Sequence, residues 1–319
     1  MKIATLFETL LRSESALAPD DQRESESPVP SLSHRLSLLR KTREIEAALR
    51  DTLAAGGFSL SYQPIFDQRG AVVEVEALLR AQHRLLSRIG PGEFIPVAEE
   101  TGMILPIGEH VLRMACARLS QWRSCGLDQV HLAVNVSCIQ MVNPGFAERV
   151  LDIFSEHGIP PHVLHLELTE TTLLRDTPPL VAQMQLLAQA GVAFSIDDFG
   201  TGYSTLERLA SLPISTMKID QSFVRELEHN PRALGIVQAM ADLARHLKLD
   251  LIAEGVEDAE QVRILSQIGC HKFQGYFFSP PVSADAILAL MLESKKKAHD
   301  SDCDILPVYT PPPGLSEVA

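Results

Sequence analysis

Six short apolar runs in this sequence end on chemically active side chains, most of them able to ligate a divalent metal. Val75 leads into Glu76, His131–Val134 into Asn135, and Val163–Leu166 into Glu167. Val192–Ile196 leads into Asp197 and Asp198, Ile214–Met217 into Lys218, and Asp250–Ala253 into Glu254. Carboxylates at the ends of buried strands are costly unless they share a cation or a substrate. The repeated placement predicts a metal-dependent active site at the mouth of a β/α barrel.

Glu76, Asn135, Glu167 and Asp197 offer oxygen ligands from four strand ends, and Asp198 adds a second carboxylate beside Asp197. Asp197 would bridge two cations while Asp198 holds one. An all-oxygen set selects hard ions, Mg²⁺ or Mn²⁺, over zinc. Two such ions about 4 Å apart suit in-line phosphodiester hydrolysis, in which they bind the phosphate, activate water and stabilise the leaving alkoxide. Glu254 either completes the second ion's shell or takes the water's proton; the sequence leaves both open. Lys218 is expected to share one face of its strand with Asp220. It would orient the attacking water or stabilise phosphate charge, although a structural salt bridge explains it too. His83, His131 and His165 lack paired zinc spacing and read as surface or core residues.

The elements that must position these groups are legible as a pattern. Short apolar runs alternating with helical stretches predict parallel strands joined by crossovers. Helices are predicted over 93–101, 107–125, 144–157, 178–190, 205–211, 231–246, 258–268 and 283–295. Leu36–Ala55 has helical spacing and stops at Gly56-Gly57. Phe58–Phe66 alternates as a strand, and Asp67–Gly70 turns it into a second strand over Ala71–Leu79, so the barrel opens on a hairpin. The expected organisation is a short helix and linker over 1–40, the barrel over 41–295, and a polar, proline-rich tail over 296–319. In the first segment Met1–Leu11 reads as an amphipathic helix, a frayed end or a docking element for a regulatory partner or membrane surface.

Composition agrees with a folded catalytic domain. At 319 residues the chain is long enough for a β/α barrel of about 250. A formal charge of −13 disfavours long nucleic acid as a partner. Small anionic ligands remain open, because bound cations reverse the field of an acidic cleft. The five cysteines form no CxxC pair, no leader is evident, and no run approaches the length of a membrane span. A cytoplasmic protein is expected.

The run Glu76-Ala-Leu-Leu-Arg80 resembles the signature of EAL-domain cyclic di-GMP phosphodiesterases. The likeness continues through Tyr62-Gln-Pro-Ile65, Phe94-Ile-Pro-Val-Ala-Glu99, Asn135-Val-Ser137, Glu167-Leu-Thr-Glu170 and Asp197-Asp-Phe-Gly-Thr-Gly-Tyr-Ser204. It ends with Lys218-Ile-Asp220, Ala253-Glu-Gly-Val-Glu257 and Gln274-Gly-Tyr276, covering roughly residues 40–293. The resemblance implies an α/β fold, a modified TIM (β/α)8 barrel with an antiparallel first strand. It implies that Glu76, Asn135, Glu167 and Asp197 hold one metal, and that Asp197 and Asp198 hold a second with Glu254 nearby. Lys218 would contact the attacking water and Arg80 a substrate phosphate, while Gln63 and Gln274 seat the dinucleotide. Glu170 would anchor the loop Phe199–Ser204, which in the family links the metal site to a homodimer interface. Two positions depart from the family pattern near the substrate mouth: Ala81, and the turn His83–Arg88.

The expected activity is therefore hydrolysis of cyclic di-GMP to linear pGpG with two Mg²⁺ or Mn²⁺ ions. A silent cyclic di-GMP receptor acting through protein partners is the alternative. An enolase-like barrel with Lys218 as base fits less well, because Asn135 and the Asp197-Asp198 pair suit two-metal chemistry better. About 40 residues precede the barrel, so regulation is expected to come through dimerisation, metal level or a separate partner rather than a fused domain.

Overall fold

The computed structural model describes residues 32–174, 177–200 and 206–299. Two units divide the chain between Thr42 and Arg43. Of the first, only helical residues from Leu32 onward are described, so the Met1–Leu11 helix and the tail beyond residue 299 lie outside the described residues. The helix Leu32–Ala54 crosses residue 41 and the last helix, Ala284–His299, crosses residue 295.

The second unit is built on eight strands that close into a barrel in sequence order. They are β1 (Phe58–Asp67), β2 (Val72–Ala81), β3 (His131–Asn135), β4 (Leu164–Thr169), β5 (Ala193–Phe199), β6 (Thr216–Ile219), β7 (Asp250–Ala253) and β8 (Lys272–Phe273). β1 runs antiparallel to both β2 and β8, while every other neighbouring pair is parallel. The hairpin follows from its turn. Asp67 Oδ1 accepts from the N–H groups of Arg69 and Ala71, and Gly70 supplies a positive φ of 74°.

Strand alternation sorts the side chains. Leu132, Val134, Leu164, Leu166, Phe194, Ile196, Met217, Ile219, Leu251 and Phe273 are buried apolar residues that face the helical layer. The positions between them include Glu74, Glu76, His165, Glu167, Ser195, Thr216 and Lys218, all buried polar groups that face the barrel axis. A barrel of this type is usually filled by branched aliphatics; this interior is largely polar, with Ile65, Ala133 and Ile252 as apolar members of the same inward face.

The predicted helices are present within a few residues of their expected ends. Short ones over Arg84–Ile89, Cys138–Met141, Glu170–Leu174 and Gln221–Glu226 come in addition. Where a turn was expected at His83–Arg88, His83 Nδ1 instead accepts from the Leu85 N–H and caps the helix Arg84–Ile89. Among the described residues, no helix is long and apolar enough to cross a membrane.

Candidate active site at the barrel mouth

Parallel strands deliver their C-terminal ends to one rim, and Glu76, Asn135, Glu167, Asp197, Lys218 and Glu254 meet there. Lys218 is the hub. Its side chain is 0% exposed, and Nζ lies 2.6 Å from Glu254, 3.0 Å from Glu167, 3.3 Å from Asp197 and 3.4 Å from Glu76. Asn135 Nδ2 donates to Glu76 Oε1 at 2.9 Å, and Gln274 Nε2 donates to the other Glu76 oxygen at 2.7 Å. Gln274 Nε2 also reaches Gln63 Oε1 at 3.1 Å. The two glutamines therefore line the rim beside Glu76. Arg80 is half-buried four residues beyond Glu76 on β2 and donates to the Leu79 carbonyl.

Two successive residues on a regular strand point to opposite faces. Asp197 and Asp198 escape that rule. The pairing of β5 with β6 shifts register between Ile196 and Phe199, and Asp198 takes a left-handed conformation with φ 56°. The bulge turns both carboxylates inward, so oxygens of Asp197, Asp198 and Glu254 all lie within 4.8 Å of one another. Left-handed backbone at a residue other than glycine costs on the order of 1–3 kcal/mol and collects at functional sites.

Glu170 sits at the start of the helix that follows β4. Its Oε2 accepts from the Gly200 N–H at 2.9 Å, which ties the chain just after Asp198 to the end of β4. Gly200 has φ 97°, and a Cβ there would lie 2.2 Å from Met240 Cε. The rest of the expected loop, Thr201–Ser204, lies outside the described residues. Asp220 corrects an expectation. β6 ends at Ile219, and Asp220 caps the helix Gln221–Glu226 by accepting from the Ser222 N–H at 3.0 Å. Its carboxylate still faces Asp198 closely enough to raise that group's pKa.

Electrostatics at the rim follow from five acids converging on one ammonium. Burial pushes Glu254 up to about 8, helped by the charges of Asp197 and Glu76 against the pull of Lys218. Burial, then Asp197 and Asp220, raise Asp198 to about 6. Glu167 is raised well above the ordinary carboxyl range by burial and by its acidic neighbours. Glu76 is the exception. Burial acts to raise it, but Lys218 and the amides of Gln274 and Asn135 outweigh burial and hold it below its ordinary value. Lys218 is held firmly protonated despite its burial, by Asp197, Glu167, Glu254 and Glu76.

The donor set fits hard divalent cations. It is all oxygen, and Glu167 Oε2 is buried without a hydrogen-bond partner. With all five carboxyls ionised, as cation ligands require, the set exceeds the one ammonium by four negative charges, which two divalent ions would balance. Sequence reasoning missed the buried pair of Glu74 and His165 below the rim, where His165 Nδ1 meets Glu74 Oε1 at 2.6 Å. Their 91-residue separation hides the contact, and alternation along β2 and β4 was the only available signal.

Comparison with known proteins places this geometry among related chains. The EAL domain family model matches residues 46–281. The Pseudomonas aeruginosa protein MucR, named as a bifunctional diguanylate cyclase/cyclic di-GMP phosphodiesterase, is 40% identical over 76% of this chain and 35% of its own length. A second Pseudomonas aeruginosa protein, named as a cyclic di-GMP phosphodiesterase, is 39% identical over 71% of this chain and 38% of its own. The solved structure described as the PaMucR phosphodiesterase in complex with c-di-GMP superimposes with a TM-score of 0.72 at 39% identity. It covers 76% of this chain and 99% of that one. The chain thus spans little more than a third of the length of these two curated relatives.

Proposed function

The chain belongs to the EAL domain family, and we propose that it hydrolyses cyclic di-GMP to linear pGpG with two divalent cations, Mg²⁺ or Mn²⁺. The observation that carries this reading is the convergence of Glu76, Glu167, Asp197, Asp198 and Glu254 around Lys218 at the barrel mouth. In this assignment Glu76, Asn135, Glu167 and Asp197 hold one cation. Asp197 and Asp198 hold the other, with Glu254 beside it. When bound, such a pair supplies Lewis-acid activation of a water and of the scissile phosphate.

The chain's own groups do the rest. The Lys218 ammonium, held charged and immobile by four acids, donates to the attacking water and fixes its approach. Glu254, 2.6 Å from Lys218 Nζ, would take up the proton that the water loses once bound cations have displaced its own. Arg80 pairs with a phosphate of the substrate, and its planar guanidinium suits that role. Gln63 and Gln274 present amides beside Glu76 to orient the dinucleotide. Glu170, through the Gly200 N–H, holds the Asp198 turn in the conformation that brings both aspartates inward. A homodimer and a regulatory partner belong to the same reading, since that turn leads into the Phe199–Ser204 segment that would couple them to the site.

The test is chromatography of nucleotides after incubating the protein with cyclic di-GMP and Mn²⁺, with and without EDTA. Metal-dependent pGpG supports the hydrolase. Substrate that is bound but stays intact would instead make the protein a receptor.

A further inference from the structure

Below the rim, one side-chain level deeper in the barrel, lies a polar pair that none of the steps above uses. Glu74 on β2 and His165 on β4 are both buried, and His165 Nδ1 meets Glu74 Oε1 at 2.6 Å. Glu74 lies two residues before Glu76 and His165 two residues before Glu167. Each partner therefore sits on the same strand and the same face as one rim carboxylate, about 6.6–6.8 Å beneath it. β3 runs between these strands. On β3 His131 lies opposite Glu74, while Ala133, fully buried, lies opposite both Glu76 and His165. A methyl group there leaves room for Glu74 and His165 to meet. Asn135, next up on β3, bonds to Glu76 at the rim.

The pair is poorly explained as a generic satisfied contact. Glu74 Oε2 is buried with no hydrogen-bond partner, which costs stability rather than adding to it. The His131 ring packs on the His165 ring, with centroids 4.7 Å apart, which fixes the imidazole from the strand between. The bond is short, braced, and aligned beneath the three strand ends that carry Glu76, Asn135 and Glu167.

We propose that the Glu74–His165 bond is a strut that ties β2 to β4 across β3 and thereby sets the spacing of Glu76 and Glu167 for cation binding. Glu74 and His165 are positioning residues. This rests on the reading of Glu76, Asn135 and Glu167 as cation ligands. Outer-shell partners of ligating residues typically change metal affinity 10–100-fold when removed.

The test is direct Mn²⁺ binding to the purified protein, followed by the electron paramagnetic resonance signal of free Mn²⁺, with thermal melts run in EDTA alongside. Glu74→Gln keeps an oxygen for the His165 N–H and should bind Mn²⁺ within about twofold of the unaltered protein. The double variant Glu74→Leu/His165→Leu replaces the pair with apolar bulk that a barrel interior tolerates. It should melt near the unaltered protein yet bind Mn²⁺ about 10-fold more weakly. A folded double variant with unchanged Mn²⁺ affinity overturns the strut alone. So does Glu74→Gln weakening binding as much as the double variant, because the bond survives that change. Absence of Mn²⁺ binding by the unaltered protein overturns the cation reading and the strut with it.

Discussion

Replacing Lys218 with Met isolates the charge balance on which the site depends. The change keeps most of the apolar stem and removes the one cation among four carboxylates at 2.6–3.4 Å. At about 3 Å and an effective dielectric near 20, each contact corresponds to roughly 5 kcal/mol of Coulomb energy. The orphaned carboxyls will absorb much of that by taking up protons. Losing one partner of a buried ion pair costs about 3–5 kcal/mol, and that is the expected deficit at pH 8 without metal. For a domain of this size it corresponds to a fall in Tm of roughly 10 °C. The deficit must shrink in acid. Glu254 titrates near 8 in the folded chain against an ordinary 4.5, and Asp198 near 6 against 3.8. The folded state thus binds these protons more tightly than the unfolded state, and stability is lost as pH rises across those two windows. Lys218 itself, with its pKa raised, stays charged throughout. Thermal melts of both proteins in EDTA at pH 5.5 and pH 8 provide the assay. The gap in Tm should be about 10 °C at pH 8 and less than half that at pH 5.5. An equal gap at both pH values, or no gap at all, would refute the reasoning.

Three further outcomes follow from the same geometry. Asp197→Asn removes the carboxylate assigned to both cations and should lower pGpG production by a factor on the order of 10²–10³ or more, read by chromatography. Near-normal turnover would sink the two-cation scheme. Glu170→Ala removes the acceptor for the Gly200 N–H, so amide exchange at Gly200 should accelerate at least about 10-fold, measured by hydrogen–deuterium exchange. Unchanged protection there would show that the tether does not hold the turn. Mn²⁺ must displace protons from Glu254 and Asp198, so its apparent affinity should rise by about 10-fold or more between pH 6 and pH 8. A flat calorimetric profile over that range would contradict the raised values.

The hairpin opening and the antiparallel pairing of β1 with β2 were readable because their signals are local: alternation over Phe58–Gln63 and a turn with Asp67 and Gly70. The parallel strands were equally legible, since each apolar run stops at the residue it delivers to the rim. Three features were not. The left-handed backbone at Asp198 depends on a register shift against β6, which residue types do not announce. The helices Cys138–Met141 and Gln221–Glu226 are too short for periodicity to register, so Asp220 read as part of a strand when it caps a helix. Glu74 and His165 looked like ordinary polar members of their strands, because only the register of β3 against both β2 and β4 brings the two side chains together.

The most direct measurement is cyclic di-GMP turnover recorded as Mn²⁺ is added back to metal-free protein, with bound Mn²⁺ counted on the same samples. Activity should be negligible in EDTA and should emerge only as occupancy passes one ion per chain, saturating at two. Turnover in the absence of metal, or full turnover at a single bound ion, would contradict the two-cation site.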